Sequence, residues 1–320
     1  MKFDFETTGI DVVKHFDAQV RGKIFLITGP TVGGIGAETA ISLAHAAPAL
    51  IVLLGRSREK AEPVLEAIRA VDAAVPTKFV ELDLCSLASV RAAAAAVLAD
   101  PAVPRIDALI NNAGVMACPF GLSADGIEIQ FAAGHVGHFL LTNLLAPKLL
   151  QGSGGGGGAR VVNVSSSGHK LGHVRFDDPN FSEARSYTRL AGYGQAKTAN
   201  VLFSVALNAR LAGTRGVRSY ASHPGVIMTN LTRHIPPDMM GEMVAAAGVD
   251  VLTMKNIQQG CSTQLRAALD PDLPGQEGVM LYDCSLTTDP QQILPRAVDS
   301  ADAEKLWMLS EKLVEQEFKY

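Results

Sequence analysis

Short apolar runs recur along the chain: IFLIT (24–28), LIVLL (50–54), KFVELDL (78–84), IDALINN (106–112), ARVVNVSS (159–166), VRSYASH (217–223) and GVMLYD (278–283). Between them lie longer alanine-rich stretches of helical character, at 35–46, 58–72, 87–99 and 195–212. A strand buried on both faces reads as a continuous apolar run, whereas the helix that covers it is apolar on one side. The alternation predicts a doubly wound α/β fold with three layers, in which helices cover both faces of a parallel sheet. No change of composition divides the chain, so residues 1–320 are expected to form a single domain.

Two segments interrupt the alternation. GSGGGGG (152–158) stands before a strand, where a phosphate cradle would stand before a helix, and reads as a loop. Seven flexible residues of this kind span about 15 Å. Residues 228–258 are too many for a simple connection, and Met228, Met239, Met240, Met243 and Met254 suit an adaptable apolar surface. This segment reads as a lid over the site, or as helices that only pack on the body. Near the C-terminus, AEKLWMLSEKLVEQEF sets Leu306, Leu309, Leu313 and Val314 at helical spacing and predicts a packing helix.

Composition narrows the function. With a net charge of −4 and 28 scattered Lys and Arg residues, the chain has no basic field for nucleic acid, and small-molecule chemistry is expected. The first residues, MKFDFETTGIDVVKHFDAQVRGK, carry a charge every few positions and lack the apolar core of a signal peptide or membrane span. A cytoplasmic protein is expected. Cys85, Cys118, Cys261 and Cys284 lie far apart, and no third ligand is spaced to join His135 and His138, so neither a disulfide framework nor a metal is expected.

KIFLITGPTVGGIGAETAISLA places glycines between a strand and a helix. There the backbone can approach a pyrophosphate, whose charge the amides and dipole of the helix N-terminus stabilise. Gly29, Gly34 and Gly36 are the candidates. At the end of the second run, Gly55 and Arg56 stand where an NAD site places a carboxylate. Arg56, with Arg58 or Lys60, can pair with a 2′-phosphate, which favours NADP over NAD. Asp83 is placed to accept from the adenine amino group, and NNAG (111–114) follows the fourth strand.

TGPTVGGIG (28–36), ELDLCSLASV (81–90), NNAGVM (111–116), GHVGHFLLTNLL (134–145), VVNVSSSGH (161–169), YGQAKTANVLF (193–203) and HPGVIMTNL (223–231) occur in this order. On these motifs the chain resembles the short-chain dehydrogenase/reductase superfamily, in its retinol-dehydrogenase-like and WW-domain-oxidoreductase-like branch. The resemblance implies a Rossmann-type fold, NAD(P)H-dependent chemistry on alcohols and carbonyls, and a catalytic Ser166, Tyr193 and Lys197. It further implies that Thr28, Gly29, Gly34, Ile35, Gly36, Arg56, Asp83, Leu84, Asn112, Ala113, Gly114, Tyr193 and Lys197 line the cofactor. Pro224, Gly225, Val226 and Thr229 would flank the nicotinamide. A homo-oligomer is implied too, through helices around 125–150 and 195–212.

Two departures stand out. The glycine loop has one residue more than T-G-x-x-x-G-x-G, which leaves Gly33 and Gly34 open as its central glycine. Gly134 replaces an asparagine whose main-chain carbonyl, in the family, holds a water leading from the lysine to solvent. Glycine keeps that carbonyl but is expected to make the helix less rigid.

The residues themselves support the same chemistry. Hydride reduction of a carbonyl puts negative charge on oxygen, so the site must deliver a proton there. Tyr193 and Lys197, at i and i+4, share one helix face. An adjacent ammonium that lowered the phenol pKa from about 10 by ~2.5 units would favour phenolate by roughly 3.4 kcal/mol. Ser166 lies at a strand's C-terminal end, where doubly wound sheets bind ligands, although Ser165 and Ser167 leave the register open. The chain therefore reads as an NADP(H)-dependent oxidoreductase acting on an apolar alcohol, aldehyde or ketone. The alternative is a non-catalytic NADP(H)-binding sensor or scaffold. An epimerase is disfavoured, because the C-terminal remainder is too short for an added sugar-binding domain.

Overall fold

The computed structural model describes residues 2–152, 158–183, 186–235, 241 and 254–320. Eight strands form one sheet: β1 Ile24–Thr28, β2 Leu50–Gly55, β3 Thr77–Glu81, β4 Ala108–Asn111, β5 Ala159–Val164, β6 Val217–His223, β7 Met280–Tyr282 and β8 Ser285–Thr287. Their order is β3-β2-β1-β4-β5-β6-β7-β8, parallel throughout except for β8. All seven apolar runs of the sequence are strands. The eighth strand is additional: Asp283 and Cys284, both at positive φ (42° and 62°), form a two-residue turn that folds β8 back on β7.

Each layer follows from burial. β1 is buried along its whole length, between helices on both faces. One face packs the Gly9–His15, Ile35–Leu43, Arg58–Val71 and Ile257–Leu269 helices through residues such as Val12, Leu43, Ile68 and Leu265. The other packs the Leu87–Ala99, Gly137–Leu144, Arg189–Leu207 and Ser300–Leu313 helices through Val97, Phe139, Phe203 and Trp307. Inside the sheet, Asn111 donates to Asn163 (2.9 Å), and Asn163 donates to Ser204 (2.9 Å) and Ser219 (3.2 Å). Bonds of this kind form in one register only, so they fix β4, β5 and β6 relative to each other.

The strand order reverses between β1 and β4, which opens a crevice at their carboxyl ends where ligands of doubly wound sheets bind. The predicted C-terminal helix packs as expected, with Leu306 and Val314 buried and Leu309 and Leu313 at its margin. It also reaches two neighbouring helices. Trp307 and Phe318 stand against Phe139 at 5.0 and 5.7 Å, and Arg210 lies 4.0 Å over Trp307. The chain's own C-terminus therefore packs on one side of the Gly137–Leu144 and Arg189–Leu207 helices. Most of the 228–258 lid segment, and residues 153–157 of the glycine run, lie outside the described residues.

Candidate active site

The β1–β4 crevice holds a cavity of about 870 Å³ that runs from Arg56 and Lys60 at one end to Ser166, Tyr193 and Met254 at the other. At its centre, Gly29 has φ +71°, and any Cβ there would lie 2.9 Å from Ala113 Cα. Only glycine combines that left-handed backbone with so close an approach. Gly34 lines the cavity and caps the Ile35–Leu43 helix, whereas Gly33, at φ +75°, takes up the loop's additional residue away from the cavity lining. The backbone thus settles which glycine stands at the helix entrance. Gly36 is a packing glycine instead: it does not line the cavity, and its Cβ would overlap Asn112 Nδ2 and crowd Gly29 O at 2.8 Å.

Other expected cofactor contacts divide in the same way. Ile35, Asp83, Leu84, Ala113, Gly114, Pro224, Gly225, Val226 and Thr229 line the cavity. Thr28 lines it as well, but its hydroxyl is already engaged, accepting from the Asn112 and Ala113 N–H groups at 2.9 and 3.0 Å. Asn112 braces this crossing by donating to Thr28 O at 2.9 Å. Arg58 is turned away from the cavity lining towards Glu62 (3.9 Å), which leaves Arg56 and Lys60, among the described residues, as the cations at that end. A glycine-walled helix N-terminus and a long crevice together fit a dinucleotide, and two cations stand at its far end.

The chemistry lies at the opposite end. Of the three serines, Ser165 is buried and donates to Lys197 O (2.7 Å), and Ser167 donates its N–H to His223. All three line the cavity, but Ser166 is the least buried of them, and its hydroxyl is within hydrogen-bonding reach of the Tyr193 phenol. Lys197, one turn along the same Arg189–Leu207 helix, donates to Val164 O at 2.7 Å, with its amine 5.6 Å from the Tyr193 ring centre.

The electrostatics correct the expectation of a phenol made acidic by its lysine. Burial pushes Tyr193 up to about 12 and Lys197 down to about 8. The Ser166 hydrogen bond opposes the tyrosine shift without overcoming it. Desolvation wins because the phenol is 4% exposed and the amine is spent on a backbone carbonyl. In the protein alone burial thus favours the neutral form of Tyr193.

Gly134 sits in a π-turn, Ala132–Val136, where its carbonyl accepts from His138 Nδ1 at 3.3 Å. A Cβ on Gly134 would meet Ala196 Cβ at 3.0 Å, next to Lys197. Glycine here allows close helix packing. His138, considered for zinc in the sequence, receives the Thr28 hydroxyl on Nε2 at 2.9 Å and so joins the π-turn to the cofactor crossing. His135 is bonded to Ser310 at 2.8 Å.

Past Tyr193 the wall is apolar. Met116 and Ala117 pack with Tyr193, and Leu171, Leu231 and Ile235 lie against them. His169, His223 and Leu171 were not singled out in the sequence, where their only signal was proximity to the serine run and to Pro224.

The short chain dehydrogenase model matches residues 23–178. Mouse (Mus musculus) retinol dehydrogenase 14 is 38% identical over 92% of this chain and 86% of its own length. Brassica napus short-chain dehydrogenase TIC 32 B, a chloroplastic protein, is 40% identical over 97% of this chain and 93% of its own. Among solved structures, a Mycobacterium paratuberculosis protein superposes with a TM-score of 0.70 at 32% identity, over 95% of this chain and 98% of that one. A Sphingobium yanoikuyae short-chain dehydrogenase, solved in complex with NADPH, shares the fold at a TM-score of 0.54 and 23% identity, over 76% of this chain and 82% of its own.

Proposed function

We propose, for a chain that belongs to the short-chain dehydrogenase/reductase family and its retinol-dehydrogenase-like branch, an NADP(H)-dependent oxidoreductase acting on an apolar aldehyde, ketone or alcohol. The observation that carries this reading is one cavity with Arg56 and Lys60 at one end and Ser166, Tyr193 and an apolar wall at the other.

The nicotinamide, when bound, supplies or accepts the hydride. In reduction, Tyr193, which burial keeps protonated, donates its phenolic proton to the oxygen that gains charge. Ser166 holds the same oxygen by a hydrogen bond, which also favours the phenolate left behind, and Lys197 sets a positive charge one helix turn away. Met116, Leu171 and Leu231 exclude water and favour an apolar substrate. Arg56, assisted by Lys60, selects the 2′-phosphate.

Residues 228–258 act as the lid of a single domain. Its two ends are anchored beside the cofactor crevice, where Asn230 donates to Val32 O (3.0 Å) and the Lys255 N–H donates to Val226 O (2.8 Å). No helix among the described residues is long and apolar enough to cross a membrane, and a cytoplasmic location belongs to this reading.

A second reading, a non-catalytic NADP(H) sensor, draws on the Gly134 carbonyl being engaged by His138. Consumption of NADPH with a panel of aliphatic and aromatic aldehydes and ketones separates the two. Turnover that is lost in Tyr193→Phe supports the oxidoreductase, and tight NADPH binding without turnover on any carbonyl supports the sensor.

A further inference from the structure

Ser166 is in extended conformation (φ −169°, ψ 161°) and caps the short Ser167–Leu171 turn. The peptide group that joins it to Ser167 is gripped at both ends by histidine rings. Its carbonyl accepts from His169 Nδ1 at 2.7 Å, as well as from the His169 backbone N–H at 3.1 Å. Its N–H donates to His223 Nδ1 at 3.1 Å. Each ring has its proton assigned by its partners. His169 Nε2 accepts from the Leu294 N–H (3.3 Å), so the proton is on Nδ1, whereas His223 must leave Nδ1 bare.

Both rings are buried, His169 at 0% and His223 at 6% exposure. Desolvation keeps them neutral, at about 4 and about 3. The grip is tied to the rest of the site. Thr198, on the helix that carries Tyr193 and Lys197, donates to His169 O at 2.9 Å, and His223 packs on Tyr282 with ring centres 4.4 Å apart. The Gly168 N–H donates to Ser166 Oγ at 3.0 Å, which occupies one lone pair and turns the hydroxyl proton outwards.

We propose that His169 and His223 are positioning residues that clamp the Ser166–Ser167 peptide from opposite ends and thereby aim the Ser166 hydroxyl at Tyr193. This rests on the reading of Ser166 as the hydroxyl partner of Tyr193. A clamp with one donor and one acceptor has a definite chemical requirement at each position. Asparagine can supply an amide donor at 169 and a carbonyl acceptor at 223, while leucine supplies neither.

The test compares kcat and KM with NADPH and the best carbonyl of the panel for Ser166→Ala, His169→Leu, His223→Leu, His169→Asn and His223→Asn, with crystal structures of the two leucine variants. Expected are losses in kcat of about tenfold or more for each leucine variant, NADPH KM within twofold, and recovery of most activity in the asparagine variants. The double leucine variant should lose less than the product of the single losses, because both act on one peptide group. A silent Ser166→Ala would remove the serine reading itself. A crippled Ser166→Ala beside leucine variants within twofold of wild type would overturn the clamp alone. So would asparagine variants no better than leucine, or leucine-variant structures in which Ser166 Oγ keeps its place beside Tyr193.

Discussion

A Cβ on Gly168 would overlap Cε1 of Tyr193 and stand 2.9 Å from its Cδ1, so the turn that follows Ser166 lies directly on the phenol ring. The backbone at Gly168 is not left-handed, and contact alone demands glycine there. Gly168→Ala must displace the ring or the turn. Overpacking of this kind costs about 1–3 kcal/mol. The expected result is a folded protein with a lowered melting temperature and kcat down by at least about tenfold. Thermal unfolding and steady-state kinetics on the same preparation check both.

Tyr193→Phe keeps the ring that packs on Met116 and Ala117 and removes only the proton donor. Carbonyl reduction should fall by about a hundredfold or more, the usual contribution of a positioned acid, with the melting temperature nearly unchanged. Wild-type turnover in the phenylalanine variant would remove Tyr193 from the mechanism.

Arg56 and Lys60 line the far end of the cavity, and Arg58 faces Glu62. A charge-assisted contact to a phosphate contributes about 1.5–3 kcal/mol. Arg56→Ala should therefore raise KM for NADPH roughly ten- to a hundredfold and leave KM for NADH within a few-fold. Arg58→Ala serves as the control and should alter neither. Equal effects of Arg56→Ala on both coenzymes would exclude Arg56 from phosphate selection.

Four buried histidines are expected to weaken the fold in acid. Burial lowers His135, His138 and His223 to about 3 and His169 to about 4, against an ordinary value of 6.5. The unfolded chain binds these protons first, so stability is retained above pH 6.5 and lost as pH falls from there towards about 3. At pH 5 they give a slope of about 5 kcal/mol per pH unit, a large part of a typical domain's stability. Urea unfolding at pH 7.0, 6.0 and 5.2 should show a steep fall in midpoint. A midpoint independent of pH across this range would contradict the burial.

The candidate site was legible to different depths. The strand-to-helix glycines, the strand-end serine and the Tyr193–Lys197 pair could be read because each is a local pattern of spacing. The register of the three serines could not, since it depends on which hydroxyl meets Lys197 O and which meets Tyr193 across the fold. Gly36 and Gly34 looked alike in sequence and differ only in what surrounds them, Asn112 for one and the cavity for the other. His138, His169 and His223 carried almost no signal, because a histidine's role is set by what its two nitrogens meet.

By itself the sequence determined the seven parallel strands and their covering helices, since strand and helix periods are written in near neighbours. Tertiary structure alone decided the eighth strand, the C-terminal cover over Phe139 and Phe203, and the neutral state of Tyr193. The physical reason is range. Periodicity acts over a few residues of chain, whereas desolvation and hydrogen-bond pairing depend on groups that only folding brings within a few ångströms.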